Sequence, residues 1–455
     1  MPSVYMIFAR IAPLLLCSVF GLLGCDLQPP GLTPAPTPTV VSAPTATSRP
    51  VLPTATPTPF GDVAFALPSP APTVLPKWQR LKLFDDLWNT IDTNYVYTDF
   101  GGLDWTAIYQ EFEPRAANAE SALDFYGILA EMVVRLDDGH SAFYPPWQAE
   151  ESWLITISPG GLEGLGIVSY PEDRSLVVHY VFANSPAERA GVARRDRITH
   201  INGQMLSDPA ALPGRVSEPE GTSVRITIES PGLSPREVTL EQGIVINYIY
   251  PASIRLDADP SIAYLIIPTL NAEYMGRLVE RELRGQLQAQ PPLSGLVIDL
   301  RGNSGGWASV LTEILGNFLT GRVGTSLSVD NSFYHLIVEE GDLYDQLASI
   351  PIVVLVDSGT QSHAEHLAAI LQAQAGSKVV GTRSRGNTEG VANYDFEDGS
   401  VLWLAVSSFK LSNGVNLEGR GVIPDVEVER VGDLARYEEA FFNRSVALIR
   451  QMNRR

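Results

Sequence analysis

The stretch Gly295–Gly306, GLVIDLRGNSGG, constrains this chain more than any other. Its apolar run of Leu296, Val297, Ile298 and Leu300 has the length and composition of a buried strand, and it ends in a polar, glycine-rich turn. Gly302, Gly305 and Gly306 permit backbone conformations that side chains resist, and they let N–H groups approach a ligand closely. A second strand-and-turn follows, Ile352–Val356 and then DSGTQSHAEHLAAIL, with Ser362 at the mouth of a helix. Two strands that each deliver a turn of this kind point to one shared site.

The surrounding pattern from Ile244 to about Arg430 alternates strands and helices. Strands are expected at Ile262–Leu270, Leu296–Leu300, Ile352–Val356, KVVGT and VLWLAVSSFKL, and helices at Tyr274–Gln288, Ala308–Leu319 and His363–Ala375. This alternation predicts an α/β fold, a parallel sheet with covering helices. Upstream, Leu81, Phe84, Leu87, Trp88 and Ile91 recur at helical spacing, as do Leu123, Tyr126, Leu129, Met132 and Val133, so Trp78 to about Arg135 reads as helical. The pattern breaks at Gly139 and Pro145, which puts His140 in a turn after a helix. The tail from Asp433 to Arg455 reads as a charged amphipathic helix.

Between these parts, Trp153 to Gly243 looks like a PDZ domain. Gly164, Leu165, Gly166 and Ile167 match the loop whose N–H groups capture a peptide's terminal carboxylate beside an open strand edge. SPAERAGV, DRITHINGQ and the hairpin VRITIES–REVTLEQG continue the pattern. Together with GLVIDLRGNSGG, SGTQSHAE and NLEGRGVIPDVEVE, these segments resemble the C-terminal processing (tail-specific) peptidases and the related tricorn protease core. The resemblance runs from about Trp78 to Arg430. It implies a ClpP/crotonase-like spiral of ββα units with an N-terminal helical domain and an inserted β-rich PDZ domain. The expected parts are a lipoprotein-type signal at 1–25, a Pro/Thr-rich tether at 26–76, the helical domain at 77–148, PDZ at 149–243, the catalytic core at 244–430 and a terminal helix at 431–455.

Peptide hydrolysis by serine needs an activated hydroxyl, a base and N–H donors for the oxyanion. The resemblance assigns Ser362 as nucleophile, with the N–H of His363 and one from Gly305–Gly306 as oxyanion donors. Tail-specific peptidases carry their lysine base twenty-five residues after the serine. Here that position is Asn387, which takes no proton from a hydroxyl, and the glutamine expected four residues later is Val391. Lys378 and Lys410 lie outside the motif position. The tricorn branch instead places a histidine just before the PDZ-like domain and a glutamate beside Gly-Val-x-Pro-Asp. His140 and Glu418 match those places, as base and orienting acid. Many members of the lysine branch also carry an Asp-x-His-Ser turn, so a structural His140 stands as the alternative.

The N-terminus has one positive charge, Arg10, before an apolar run from Ile11 to Leu23 and then Gly24-Cys25. That is short for a membrane span and suits a secretory signal. Leu22–Cys25 resembles a bacterial lipobox, which implies a lipidated Cys25 and a membrane-anchored lipoprotein of the cell envelope; an uncleaved N-terminal anchor is the alternative. The Pro/Thr-rich stretch after it has little to bury and reads as an extended tether. The formal charge of −20 argues against nucleic acid or an anionic membrane surface as the main partner. No cysteine–histidine cluster indicates a metal, and no cofactor is expected. The expected function is an extracytoplasmic serine endopeptidase with PDZ-assisted recognition of protein C-termini. A pseudo-peptidase that only binds C-terminal peptides is the main alternative, and a binder of small apolar ligands a weaker one. The sequence carries no signal for an oligomeric state.

Overall fold

The structure, a computed structural model, describes residues 73–149, 165–172, 174–182, 185–206, 221–243, 250–428 and 434–454. Cys25, the signal segment, nearly all of the tether and Gly164 lie outside the described residues. The N-terminal helical stretch is three helices, α1 (Lys77–Asn94), α2 (Trp105–Ala117) and α3 (Ala122–Val134). Asp104 and Ser121 cap the second and third by accepting N–H bonds from Ala107 and Asp124. Their apolar faces bury Phe84, Leu87, Phe112, Phe125 and Met132 against one another and against Leu402 and Leu404 of a later strand. Strand β1 (Ala142–Tyr144) follows α3 and pairs with that same strand.

The β-rich part comprises β2 (Ile167–Glu172), β3 (Ser175–Val181), the helical turn α4 (Pro186–Arg189), β4 (Arg197–Ile201), β5 (Gln204–Met205), β6 (Ser223–Glu229) and β7 (Arg236–Glu241). The sheet order is β2-β3-β4-β6-β7, with β5 against β4, so β2 is outermost among the described residues. Its core is the inward face of the alternating strands, Ile167, Val178, Ile198, Val224 and Ile226 among them.

The α/β part begins with β8 (Ala252–Leu256) and β9 (Asp259–Ile266), then α5 (Met275–Gln288), β10 (Gly295–Asp299) and α6 (Ala308–Gly316). The hairpin β11 (Gly321–Ser328) and β12 (Phe333–Val338), the turn α7 (Tyr344–Leu347), β13 (Ile352–Val356), α8 (His363–Gln374) and β14 (Lys378–Gly381) come next. Last are β15 (Gly390–Asp395), β16 (Val401–Leu411), β17 (Val426–Glu427) and α9 (Leu434–Met452). The main sheet runs β17-β14-β13-β10-β9-β8, parallel except for the β8–β9 pair. A second sheet runs β1-β16-β11-β12 with β15 on β16. β9 stops four residues short of the expected Leu270, because Pro268 has no N–H to give a ladder; Leu270 instead makes an isolated bridge with Gly306.

Both faces of the main sheet are covered, which explains the unbroken apolar runs of β10 and β13. Leu296 and Ile298 face α5, α6 and α8, while Val297, Val353 and Leu355 face Tyr437, Phe441 and Ile449 of α9. Parallel pairing with Leu296 opposite Ile352 and Asp299 opposite Leu355 ends β10 and β13 level with each other. Their following turns therefore leave the same edge of the sheet, the carboxyl edge where open α/β sheets place their sites.

Candidate active site

The two turns are stitched together by hydrogen bonds. Gly302 N–H donates to Asp357 Oδ1 at 2.8 Å, Thr360 Oγ1 donates to the Leu300 carbonyl at 2.9 Å, and Gln361 N–H donates to the Asn303 carbonyl at 3.0 Å. Gly305 lies so close to the second turn that a Cβ there would stand 2.7 Å from Ser362 Cβ and 2.9 Å from the His363 nitrogen. Its φ of +91° also suits only glycine without strain. Ser362 itself has φ +55° and ψ −134°, a conformation that a non-glycine residue keeps only when its surroundings hold it.

Those surroundings are visible. Ser362 N–H meets the Asn387 carbonyl at 2.8 Å and Glu365 Oε2 at 3.1 Å. Glu365 is fully buried and also accepts from Ser384 Oγ (2.6 Å), Gly386 N–H (2.7 Å) and Asn387 N–H (3.0 Å). Burial nevertheless pushes its carboxyl up to about 7, against the pull of these donors.

Of the three expected oxyanion donors, Gly305 is otherwise engaged: its N–H donates to Asn303 Oδ1 at 2.8 Å. The N–H groups of Gly306 and His363 carry no hydrogen bond among the described residues. The His363 imidazole, bonded to the Gly306 backbone, is held below its ordinary value by burial.

His140 sits in a turn fixed from several sides. Asp138 Oδ1 accepts from the N–H groups of His140 (2.9 Å) and Ser141 (2.7 Å), and Ser141 Oγ accepts from Ala405 N–H on β16 at 3.1 Å. Burial lowers the His140 imidazole from its ordinary value; Glu418, Asp138 and a hydrogen bond with the Asn387 backbone oppose it. Its Nε2 accepts the N–H of Glu389 at 3.1 Å, which assigns the ring proton to Nδ1. No hydrogen bond joins Ser362 Oγ to His140 among the described residues; the ring reaches the serine through the Asn387 carbonyl, which Ser362 N–H also uses.

One short segment thus gathers the site. The successive N–H groups of Gly386, Asn387, Thr388 and Glu389 go to Glu365, Glu365, Glu418 Oε2 (2.6 Å) and His140. In this segment the sequence singles out only Asn387, as the occupant of the lysine position. Glu389 and Tyr97 join the site with no motif to announce them. Glu389 Oε2 lies 3.9 Å from His140 Nε2, and its Oε1 accepts the Tyr97 hydroxyl. Ligand-type atoms of His140, Glu389 and Glu418 lie within 4.8 Å of one another. Nε2 and Glu389 Oε1 already hold hydrogen bonds, from the Glu389 N–H and the Tyr97 hydroxyl.

In the PDZ loop, Leu165, Gly166 and Ile167 are buried, with the Leu165 and Gly166 carbonyls accepting from Ala187 and Phe182. The loop leads into β2, the outermost strand of this sheet among the described residues.

This arrangement, a strained serine at a helix N-terminus beside a glycine turn and a PDZ fold, defines a serine peptidase built on an α/β core. Comparison with known proteins agrees. Residues 261–428 match the model of peptidase family S41, 76–134 the tricorn protease C1 domain, and 177–230 the PDZ domain. The chain thus carries an S41 peptidase domain beside a tricorn C1 and a PDZ domain, and it is a serine-type peptidase that hydrolyses peptide bonds. It is 26% identical over 373 residues to a carboxyl-terminal-processing protease of Synechocystis, covering 79% of this chain and 83% of that protein. It is 27% identical over 388 residues to the chloroplastic carboxyl-terminal-processing peptidase 2 of Arabidopsis thaliana, covering 80% and 72%. In fold it is similar to the photosystem II D1 C-terminal processing protease, with a TM-score of 0.55 at 22% identity, covering 77% of this chain and 93% of that one. No described helix is long and apolar enough to cross a membrane.

Proposed function

We infer that this peptidase acts outside the cytoplasm and cuts protein substrates near their C-termini, with Ser362 as nucleophile, His140 as base and Glu418 as an orienting acid. Gly306 and His363 supply the oxyanion donors, and the Gly164–Ile167 loop with the β2 edge receives the substrate's C-terminus. A lipid on Cys25 tethers the enzyme to the envelope, a reading supported by the sequence Leu22–Cys25. The observation that carries the Ser–His–Glu assignment is the run of four N–H groups at 386–389, which joins the Ser362 helix, Glu418 and His140 through one backbone segment. Asn387 at the lysine position supports the same choice. In use, the His140 ring turns from the Glu389 N–H toward Ser362 Oγ and takes its proton as the hydroxyl attacks the scissile carbonyl.

The test is cleavage of unfolded casein by the full chain in detergent, beside Ser362→Ala and His140→Ala. Loss in both variants supports the Ser–His peptidase. Loss in Ser362→Ala alone returns the base to a lysine. No cleavage by the wild type, even with C-terminal peptides added, favours the peptide-binding pseudo-peptidase.

A further inference from the structure

Two carboxyl groups, not one, stand behind His140. Glu389 and Glu418 are 3% and 8% exposed, and each has a carboxylate oxygen within 4.8 Å of the other and of a His140 ring nitrogen. No lysine or arginine forms an ion pair with either among the described residues. The titratable groups that face the pair are Tyr97 after α1, Asp138 and His140 in the turn before β1, and Glu365 on α8. Except for His140, all of these are acids.

Two negative charges at this separation, away from water and with no cation beside them, cannot both persist. One of the two takes a proton, and that proton satisfies the other. Glu389 Oε1 accepts the Tyr97 hydroxyl, and Glu418 Oε2 accepts the Thr388 N–H (2.6 Å) and Oγ1 (3.2 Å), so each acid has one oxygen anchored, while Glu389 Oε2 is buried beside the Glu418 carboxyl with no hydrogen-bond partner among the described residues. A proton on Glu418 gives that oxygen its missing donor. Burial and the Glu389 hydrogen bond raise Glu418 well above the usual carboxyl range, in the same direction.

We propose that Glu389 is a second positioning residue of this site: its carboxyl and that of Glu418 share one proton, are anchored by Tyr97, and present a single negative charge to His140. The proposal rests on His140 as the base. It differs from a plain Ser–His–Glu arrangement in that the charge is held by a pair and can relocate within it. Replacing either acid by glutamine leaves one carboxylate, so the net charge beside His140 stays the same; only the double replacement removes it.

Two readouts on the full-length protein test this. Infrared difference spectra at about pH 8, where Glu365 is mostly ionised, report the protonated carboxyl directly. Its carbonyl band is expected in the wild type and absent from both Glu389→Gln and Glu418→Gln, because each variant keeps one ionised acid. A band that survives in Glu389→Gln overturns the shared proton, since Glu418 would then be protonated by burial alone.

The second readout is the pH profile of kcat/KM. Each single glutamine variant is expected to lose about tenfold or less, and the double variant about a hundredfold or more, with its acidic limb moved to lower pH. A double variant no worse than the worse single, with an unmoved limb, overturns the joint role. Tyr97→Phe removes only the anchoring hydroxyl and covers the case in which a glutamine variant does not fold. It should shift the carboxyl band; an unchanged band overturns the anchor. His140→Ala separates the two readings: full activity there defeats His140 as base, and the infrared bands then decide the acid pair without reference to turnover.

Discussion

Asn387 Nδ2 donates to the Gly139 carbonyl at 3.3 Å, so the residue twenty-five positions after Ser362 ties its side chain to the turn that carries His140. In the lysine branch that this chain resembles, the same position supplies the base. Here the side chain braces the neighbour of His140, the proposed base. Asn387→Ala should lower stability by about 1 kcal/mol or less, the range for a solvent-accessible hydrogen bond. It should also lower kcat/KM by loosening the turn, while leaving the pH limbs in place because an amide does not titrate. Urea unfolding and a rate–pH profile check both; a displaced limb would mean that Asn387 acts on the proton transfer itself.

His140 as base carries a sign. Burial lowers its value below the ordinary histidine range near 6.5, and the base works only when neutral. Activity should therefore hold through neutral pH and fall only on the acid side of about 6.5. A lysine base would place the limiting limb at higher pH. A profile of kcat/KM with an uncharged peptide substrate distinguishes them, and an acidic limb at or above neutrality would contradict the buried histidine.

Glu365 is the structural keystone of Ser362. Four donors converge on it: the N–H groups of Ser362, Gly386 and Asn387, and Ser384 Oγ. Glu365→Ala removes the acceptor of Ser384 Oγ and of the Gly386 and Asn387 N–H groups in a buried place, leaving Ser362 N–H only the Asn387 carbonyl, and should cost about 3 kcal/mol or more. The strained φ of Ser362 should relax at the same time, so cleavage should vanish with the fold retained at low temperature. Circular dichroism with labelling of Ser362 by a fluorophosphonate would show it. Wild-type labelling in a folded Glu365→Ala protein would remove Glu365 from this role.

Much of this was legible in the sequence, for reasons that differ by element. β10 and β13 announce themselves because a strand covered on both faces is apolar throughout. The β11–β12 hairpin escaped because Phe333, Tyr334 and Ile337 are exposed, so its pattern lacks the polar-apolar alternation of a half-buried strand. Ser362, His140 and Glu418 could be nominated from motifs. Glu365 was also within reach, since Ser362 followed by Glu365 is a helix-capping pattern. Tyr97 was not: it lies 292 residues from Glu389, and only the packing of the helical part on β16 brings them together. Gly305 shows the opposite limit. Composition identified a glycine turn, but which N–H points outward depends on the Asn303 side chain.

Beneath the site, charge holds the PDZ sheet and the last helix to the sheet edge. Arg301 is fully buried and donates to Asp299 and to Glu438 of α9, while Arg194 and Arg195 from the PDZ side donate to Asp299 (3.1 Å) and Glu438 (2.8 Å). Arg301→Ala would leave two buried carboxylates short of a partner and should destabilise by about 3–5 kcal/mol. Arg301→Lys should recover only part, because a point charge cannot serve both acids at once. Denaturant midpoints of the two variants check this; equal stability of Arg301→Ala and wild type would show that the network contributes nothing net.

The same interface contains a proton-linked contact. His179 on β3 is 4% exposed, and its Nε2 meets the Pro268 carbonyl at 2.7 Å, joining the PDZ sheet to the chain just after β9. Burial, and then Arg194, hold the imidazole down at about 4, below the ordinary value of about 6.5. The folded state therefore binds fewer protons than the unfolded chain between these values. The contribution of His179 to stability is complete above about pH 6.5 and is lost as pH falls toward 4, a change of about 3 kcal/mol. Glu365 and Glu418, whose folded values lie above the ordinary range, tilt the curve the other way, so the total slope does not isolate this histidine. The difference between wild type and His179→Gln does. Urea unfolding of both across that window should show the wild-type advantage shrinking as the solution is acidified. A constant difference would mean that His179 does not change its charge on unfolding, and that acid loosens the PDZ sheet through another group.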